Sequence, residues 1–96
     1  MHQKIKTYRS EKYLEFIRTQ PCIVSGFFPT VAHHTSKSGM ALKGSDYETI
    51  PLKPELHNEL HTIGQETFQN KYNVDFRACV GRLLCAYIDK MEGGKR

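Results

Sequence analysis

The 96-residue sequence is missing several features that would assign it to a special class of protein. It has no run of about eighteen apolar residues, so we expect no transmembrane helix and no membrane partner. A basic start over residues 1–6 is followed by no apolar stretch, so we expect no secretory signal. Cysteine is scarce, and Cys22, Cys79 and Cys85 are an odd number, which makes a poor disulfide framework and favours a reducing compartment. We expect Cys79 and Cys85, which lie in an apolar stretch, to be buried as small hydrophobic residues.

The composition is that of an ordinary globular protein. Apolar residues make up 39% and charged residues 25% of the chain, which excludes a disordered, collagen-like or low-complexity protein. The length supports a single domain over residues 1–96, with a core small enough to need help from a metal, disulfides or a partner. The net charge of +4 permits contact with nucleic-acid phosphates or anionic lipid, but the solvated surface of many small domains has the same charge.

Hydrophobic spacing, proline and glycine together predict a small α+β domain. The first helix covers residues 10–19, with Ser10 as its N-cap and Pro21 beyond its end. A long loop over 35–47 is rich in serine, glycine and lysine, and loops of this length in small domains are usually functional. The other predicted elements are a short β-hairpin formed by 22–25 and 30–33, an edge strand over 49–52, a helix that begins at Pro54 and ends at Gly64, and helices over 66–72 and 75–91.

Histidine is the residue type that stands out, with five in the chain and four of them between His33 and His61. His57 and His61 are four residues apart, which places both imidazoles on one face of a helix. If the hairpin packs against this helix, His33, His57 and His61 can form a cup of three nitrogens for a divalent metal. His34 would then stand beside the cup as an uncoordinated general base, because adjacent strand residues point in opposite directions. Such pairs of histidines also occur by coincidence on helix surfaces and at strand ends.

These histidines belong to a longer pattern. It reads Val31-Ala32-His33-His34, a long loop with glycine and lysine, then Ile50-Pro51-Leu52, His57 and His61. The pattern resembles the ββα-metal motif of HNH-type endonucleases, and most of all that of small phage-encoded HNH proteins related to the phage recombination-enhancement nuclease. The stretch after the motif is also similar to those proteins, at Gly64, Phe68, Tyr72 and Asp75. The resemblance implies a motif core over 22–62, flanked by helices over 10–19 and 65–91.

The resemblance also implies a role for each histidine. His33, His57 and His61 match the residues that hold the metal in members with a doubled histidine, and His34 matches the general base that activates water. The central asparagine of the motif falls at Glu48 or Thr49, neither of which is asparagine.

A second departure concerns structural zinc. Many relatives hold a zinc ion with two Cys-x-x-Cys pairs, whose places here read Cys22-x-x-Ser25 and Lys53-x-x-Leu56. One cysteine of four cannot make a closed zinc site, so we expect no structural zinc. We expect Lys53 to face solvent and Leu56 to pack inward.

The resemblance therefore implies a metal-dependent endonuclease that cuts DNA phosphodiester bonds with little sequence specificity, in phage or bacterial DNA metabolism or recombination. Its cofactor would be one divalent ion, and three imidazoles favour Zn²⁺, Ni²⁺ or Mn²⁺ over Mg²⁺. Lys37, Lys43 and Lys53 are candidates for binding DNA phosphates, although ordinary loop lysines look the same. We expect a cytoplasmic protein of a bacterial cell or phage-infected host, acting as a homodimer or with a recombination protein. Two alternatives are a nucleic-acid-binding module that has lost catalysis, and a structural domain whose metal only holds the fold.

Overall fold

The computed structural model of the chain describes residues 8–36 and 44–93 and has an α+β fold. Within these ranges, two strands form one antiparallel sheet and four helices surround it. Over the same residues, no helix is long and apolar enough to cross a bilayer. The elements in chain order are α1 (Glu11–Arg18), β1 (Val31–His34), β2 (Thr49–Leu52), α2 (Pro54–Ile63), α3 (Gln65–Tyr72) and α4 (Phe76–Met91).

The helices begin and end close to the predicted residues, because local signals determine their ends. The Ser10 hydroxyl accepts a hydrogen bond from the Tyr13 amide at 3.1 Å, and Asp75 caps α4 in the same way. Pro54 is at the first position of α2, where its missing N–H costs nothing. Gly64 ends α2 with a φ of 90°, a conformation that favours glycine, and α3 follows at once.

The predicted β-hairpin is wrong. Residues 22–25 form a turn, closed by a 2.9 Å hydrogen bond from the Gly26 amide to the Cys22 carbonyl. The strand β1 pairs instead with β2, and its register sets His33 opposite Ile50 and His34 opposite Thr49. The reason is burial: all four residues of β2 are buried, so pairing with it covers more apolar surface than a local hairpin would.

Two hydrophobic clusters support the sheet. The first holds β2 against α2, α3 and α4, and its buried members are Cys22, Ile50, Leu52, Leu60, Phe68, Phe76 and Cys79. The second packs α1 on α4 and is mainly aromatic, with Tyr13, Phe16 and Ile17 buried against Tyr47, Leu83, Leu84 and Tyr87. Cys79 is buried as expected, but the same prediction for Cys85 is wrong, because Cys85 is exposed. Cys85 is six positions after Cys79, which places it about 240° around α4 from Cys79.

Candidate metal centre

The sheet and α2 bring three histidines together. His33 lies in β1 and is only 6% exposed. His57 and His61 lie one turn apart on α2, where His57 is half-buried and His61 is exposed. One ligand nitrogen from each of the three lies within 4.8 Å of the others. Nδ1 of His33 is 3.2 Å from Nε2 of His57, and Nε2 of His57 is 3.1 Å from Nε2 of His61. The three side chains predicted as ligands are therefore the ones that converge.

The spacing of these nitrogens suits a small divalent ion. Imidazole nitrogens bind Zn²⁺ at about 2.0–2.1 Å, so two tetrahedral ligands are about 3.3–3.4 Å apart. The separations of 3.2 Å and 3.1 Å are within a few tenths of an ångström of this value. Three neutral nitrogens on one side of an ion also leave further coordination positions for water or substrate. The residues present thus fit one divalent metal ion.

The environment keeps His33 neutral. Burial is the largest effect, and together with nearby His57 and His61 it lowers the pKa of His33 to about 4, against a hydrogen bond with Gln65 that acts to raise it. Burial also lowers the pKa of His57, with a smaller contribution from His61. At neutral pH both rings are therefore able to offer a lone pair without first losing a proton.

His34 lies outside this cluster of three and pairs with Asp46. Its Nε2 lies 2.8 Å from Oδ1 of Asp46, which is itself buried. The same carboxylate accepts hydrogen bonds from the Ser10 amide at 2.7 Å and from Nη1 of Arg9 at 3.1 Å. Burial opposes ionisation of Asp46, but these hydrogen bonds outweigh it and hold the pKa of the carboxyl below its usual range. Asp46 is thus an ionised acceptor, and nothing in the sequence pattern pointed to its contact with His34.

The two described ends of the long loop are held together where the motif asparagine would lie. The Glu48 carbonyl accepts hydrogen bonds from the Thr35 amide and hydroxyl, each at 2.9 Å, and the Thr49 hydroxyl donates to the Asp46 carbonyl at 2.9 Å. The Gly44 amide donates to the Ser36 carbonyl at 2.9 Å. These bonds join the loop ends without an asparagine side chain.

One groove gives access to all four histidines, and we call it the histidine groove. It has a volume of about 820 Å³. Arg18 of α1 also lines it, a cation that sequence analysis did not single out. Lys53 does not, because it lies half-buried at the N-cap of α2. Lys37 and Lys43 lie outside the described residues. The groove is lined by Leu14, Arg18, Val31, Ala32, His33, His34, Thr35, Ser36, His57, Leu60, His61, Gly64 and Gln65.

The places of the cysteine pairs are filled by core packing. Cys22 is buried, and its sulfur accepts a hydrogen bond from the Ser25 amide at 3.4 Å. Burial acts to raise the pKa of the Cys22 thiol, but hydrogen bonds from Ser25 and from the Lys53 and Val24 backbones outweigh it and lower the pKa. Leu56 packs against the first hydrophobic cluster, as expected, whereas Lys53 is half-buried and not fully in solvent. The absence of structural zinc stays a prediction.

Comparison with known proteins gives a family but no activity. No solved structure matches the chain. The protein "Uncharacterized protein YdfU" of Escherichia coli (strain K12) is 36% identical over 90 residues, which cover 91% of this chain and 24% of that protein. The chain therefore spans about a quarter of the length of this relative. A family model described as "Protein of unknown function (DUF968)" matches residues 1–87, and the chain belongs to this family.

Proposed function

We propose that the protein is a metal-dependent endonuclease that hydrolyses DNA phosphodiester bonds with little sequence specificity, in phage or bacterial DNA metabolism or recombination. The observation that carries the proposal is the convergence of His33, His57 and His61 beside His34, which lines the same histidine groove and pairs with Asp46. The order of strand, strand and helix around these side chains supports the resemblance to the ββα-metal motif of HNH endonucleases.

His33, His57 and His61 would hold one divalent ion. Their neutral nitrogens favour Zn²⁺, Ni²⁺ or Mn²⁺, whereas Mg²⁺ prefers oxygen ligands and waters. When bound, the ion would supply Lewis-acid stabilisation of the charge that develops on the phosphate oxygens.

His34 is the proposed general base. The ionised Asp46 can only accept hydrogen bonds, so neutral His34 carries its proton on Nε2 and donates it to Oδ1 at 2.8 Å. Its lone pair is then on Nδ1, which forms no hydrogen bond within residues 8–36 and 44–93. Nδ1 is therefore the atom that would take a proton from the attacking water, while Asp46 stabilises the imidazolium that results.

Substrate binding would use the charge around the histidine groove. Arg18 lines the groove with its side chain 41% exposed and its guanidinium paired with Glu11, which leaves it able to contact a phosphate. Lys53, which does not line the groove, remains a proposed phosphate contact, as do Lys37 and Lys43, which lie outside the described residues. The proposed lack of sequence specificity rests on the sequence, in which no motif resembles a recognition helix or zinc finger that reads bases.

A plasmid cleavage assay tests the proposal. Purified protein is incubated with supercoiled DNA and Zn²⁺, Ni²⁺, Mn²⁺ or Mg²⁺, with and without chelator, and compared with His34→Ala, His57→Ala and the matched surface control Asn70→Ala. We expect His34→Ala to keep the metal and lose about two to four orders of magnitude in rate. His57→Ala should lose both metal and cleavage, and Asn70→Ala should lose neither. Failure of the parent protein to cut supercoiled, linear or single-stranded DNA with any of these ions would overturn the proposal.

A second candidate is a nucleic-acid-binding module without catalysis. It is favoured by Glu48 and Thr49 at the place of the motif asparagine, since both are engaged in bonds within the loop. This alternative predicts that the chain retards DNA in a gel and never cuts it. A purely structural metal would predict four protein ligands, whereas the cluster offers three among the described residues. The proposed homodimer or recombination-protein complex is tested by light scattering and by mixing experiments.

A further inference from the structure

The Gln65 side chain makes the structural link between α3 and the end of β1. Its Oε1 lies 2.7 Å from Nε2 of His33, and its Nε2 donates a hydrogen bond to the Thr35 carbonyl at 3.2 Å. Gln65 is the first residue of α3 and directly follows Gly64, so the start of this helix sets the position of its backbone. The amide therefore contacts the residues on either side of His34.

The contact with Thr35 determines which way the Gln65 amide points. A carbonyl oxygen can only accept, so the group that faces the Thr35 carbonyl must be the NH₂. The opposite orientation would set two acceptors against each other at 3.2 Å. Oε1 is consequently the atom that faces His33.

An acceptor at this place also determines the proton position on His33. Oε1 of Gln65 has no proton to give, so Nε2 of neutral His33 must carry the hydrogen and donate it. The lone pair is then on Nδ1, the nitrogen that lies 3.2 Å from Nε2 of His57 within the cluster. The other tautomer would leave two unprotonated atoms 2.7 Å apart and turn an N–H toward the ligand nitrogens.

We infer that Gln65 is a positioning residue of the metal centre, which holds His33 in the Nε2–H tautomer so that His33 binds the ion through Nδ1. The inference rests on the proposed function only in assuming that the three histidines bind a metal. Hydrogen bonds to the far nitrogen of a ligand histidine fix ring orientation and tautomer, and their loss typically costs about 10- to 100-fold in metal affinity. Because Gln65 is neutral, it does this without reducing the positive charge that an ion would present to a phosphate.

The first test reads the tautomer directly. In ¹⁵N-labelled protein, long-range proton–nitrogen correlations distinguish the two imidazole tautomers, and a His33→Gln variant assigns the His33 signals. We expect the Nε2–H pattern for His33 in metal-free protein, and the same pattern after Zn²⁺ is added. An Nδ1–H pattern in the metal-free protein would overturn the inference, whatever the metal affinity.

The second test measures Zn²⁺ affinity by competition with a chromophoric chelator, without DNA. Gln65→Leu removes the acceptor and should weaken binding about 10- to 100-fold. Gln65→Glu keeps an acceptor toward His33 and should bind Zn²⁺ more tightly than Gln65→Leu, although its second oxygen faces the Thr35 carbonyl in place of the NH₂. Asn70→Leu, an amide-to-leucine change at an exposed position of the same helix, should leave affinity unchanged. Parental affinity in a folded Gln65→Leu protein would overturn the inference.

If Gln65→Leu fails to fold, Gln65→Glu and the tautomer measurement decide the matter. Loss of affinity in Gln65→Glu equal to that in a His33→Ala protein would count against positioning by an acceptor. These readouts are independent of cleavage. If Zn²⁺ affinity depends on Gln65 but the protein cuts no DNA, the proposed function is refuted and this inference is supported. If the protein cuts DNA but Gln65→Leu leaves its Zn²⁺ affinity unchanged, the proposed function is supported and this inference is refuted.

Discussion

Asp46→Asn is expected to slow DNA cleavage far more than it weakens metal binding or folding. In the parent protein, Oδ1 of Asp46 accepts from Nε2 of His34 at 2.8 Å and from Nη1 of Arg9 at 3.1 Å, while Oδ2 accepts from the Ser10 amide at 2.7 Å. Asparagine has the same shape but replaces one of the two oxygens with an NH₂ group. In the variant, the NH₂ group must therefore face a hydrogen-bond donor, either the Ser10 amide or the side chains of His34 and Arg9.

The two orientations of the new amide have different costs. If its NH₂ faces the Ser10 amide, a backbone donor at the start of α1 loses its acceptor, which costs about 1–3 kcal/mol. If its NH₂ faces His34, the imidazole can move its proton to Nδ1 and accept, and the half-exposed Arg9 loses one acceptor but keeps its hydrogen bond to the Gly44 carbonyl. The second arrangement costs less, so we expect the introduced side chain to be held with its oxygen toward Ser10. His34 then carries its proton on the nitrogen that must act as the base.

The wrong tautomer would remove the proposed general-base catalysis and leave the three proposed metal ligands unchanged. We expect a rate loss of about 10²- to 10⁴-fold, Zn²⁺ affinity within about threefold of the parent, and a loss of about 1–2 kcal/mol in the free energy of unfolding. Plasmid cleavage, chelator competition and denaturant unfolding measure the three quantities, with the exposed carboxyl-to-amide change Glu66→Gln as the control. Cleavage by Asp46→Asn at the parental rate, in a protein whose His34→Ala variant is inactive, would refute the reasoning.

Four further predictions concern the metal and the core. His57→Ala and His61→Ala should each weaken Zn²⁺ binding by more than about 100-fold, because losing a ligand reduces metal affinity more than losing its supporting hydrogen bond. Calorimetry measures this affinity. Dialysis against EDTA should leave the helical circular dichroism signal unchanged, whereas collapse would reveal a structural metal. Tyr13→Phe should raise the melting temperature by about 4–8 °C, since the buried Tyr13 hydroxyl forms no hydrogen bond with the described residues and its removal gains about 1 kcal/mol. Gly44→Ala should lower the melting temperature, because an added Cβ would lie 2.3 Å from the Ser36 carbonyl oxygen, and an unchanged melting curve would contradict this contact.

The helices could be predicted from the sequence because their ends depend on nearby residues. The Ser10 and Asp75 side chains accept hydrogen bonds from amides in the first turn of their helices, and Pro54 occupies a first position where no N–H is needed. Hydrophobic spacing identifies the buried side of each helix. The α+β class and the strand over 49–52 followed in the same way. The pairing of the strands could not be predicted, because β1 can pair either with a neighbouring segment or with a strand far along the chain, and only the tertiary fold decides between them. Among the described residues, the turn over 22–25 has one backbone hydrogen bond to β2, from the Ile23 amide to the Pro51 carbonyl.

The three candidate ligands could also be predicted, for a geometric reason. A spacing of four residues on a helix and a histidine on the buried side of a neighbouring strand leave few other arrangements in so small a domain. The lysines proposed to bind phosphate had no such constraint. Lys53 lies at the N-cap of α2 and does not line the histidine groove. Arg18 does line the groove, and its backbone carbonyl accepts a hydrogen bond from the Thr30 hydroxyl, twelve residues further along the chain.

Asp46 and Gln65 were beyond sequence reasoning. Both rings line the histidine groove, but Nε2 of His33 faces Gln65 whereas Nε2 of His34 faces Asp46. A donor with little access to water requires an acceptor, and α3 supplies one for His33 while the end of the long loop supplies the other for His34. The acceptors are 32 and 12 residues away from their partners, and in the sequence they look like an ordinary helix start and an ordinary turn. Each acceptor that satisfies a donor also leaves the lone pair on Nδ1, so the folding requirement and the proposed chemistry of the two histidines select the same protonation state.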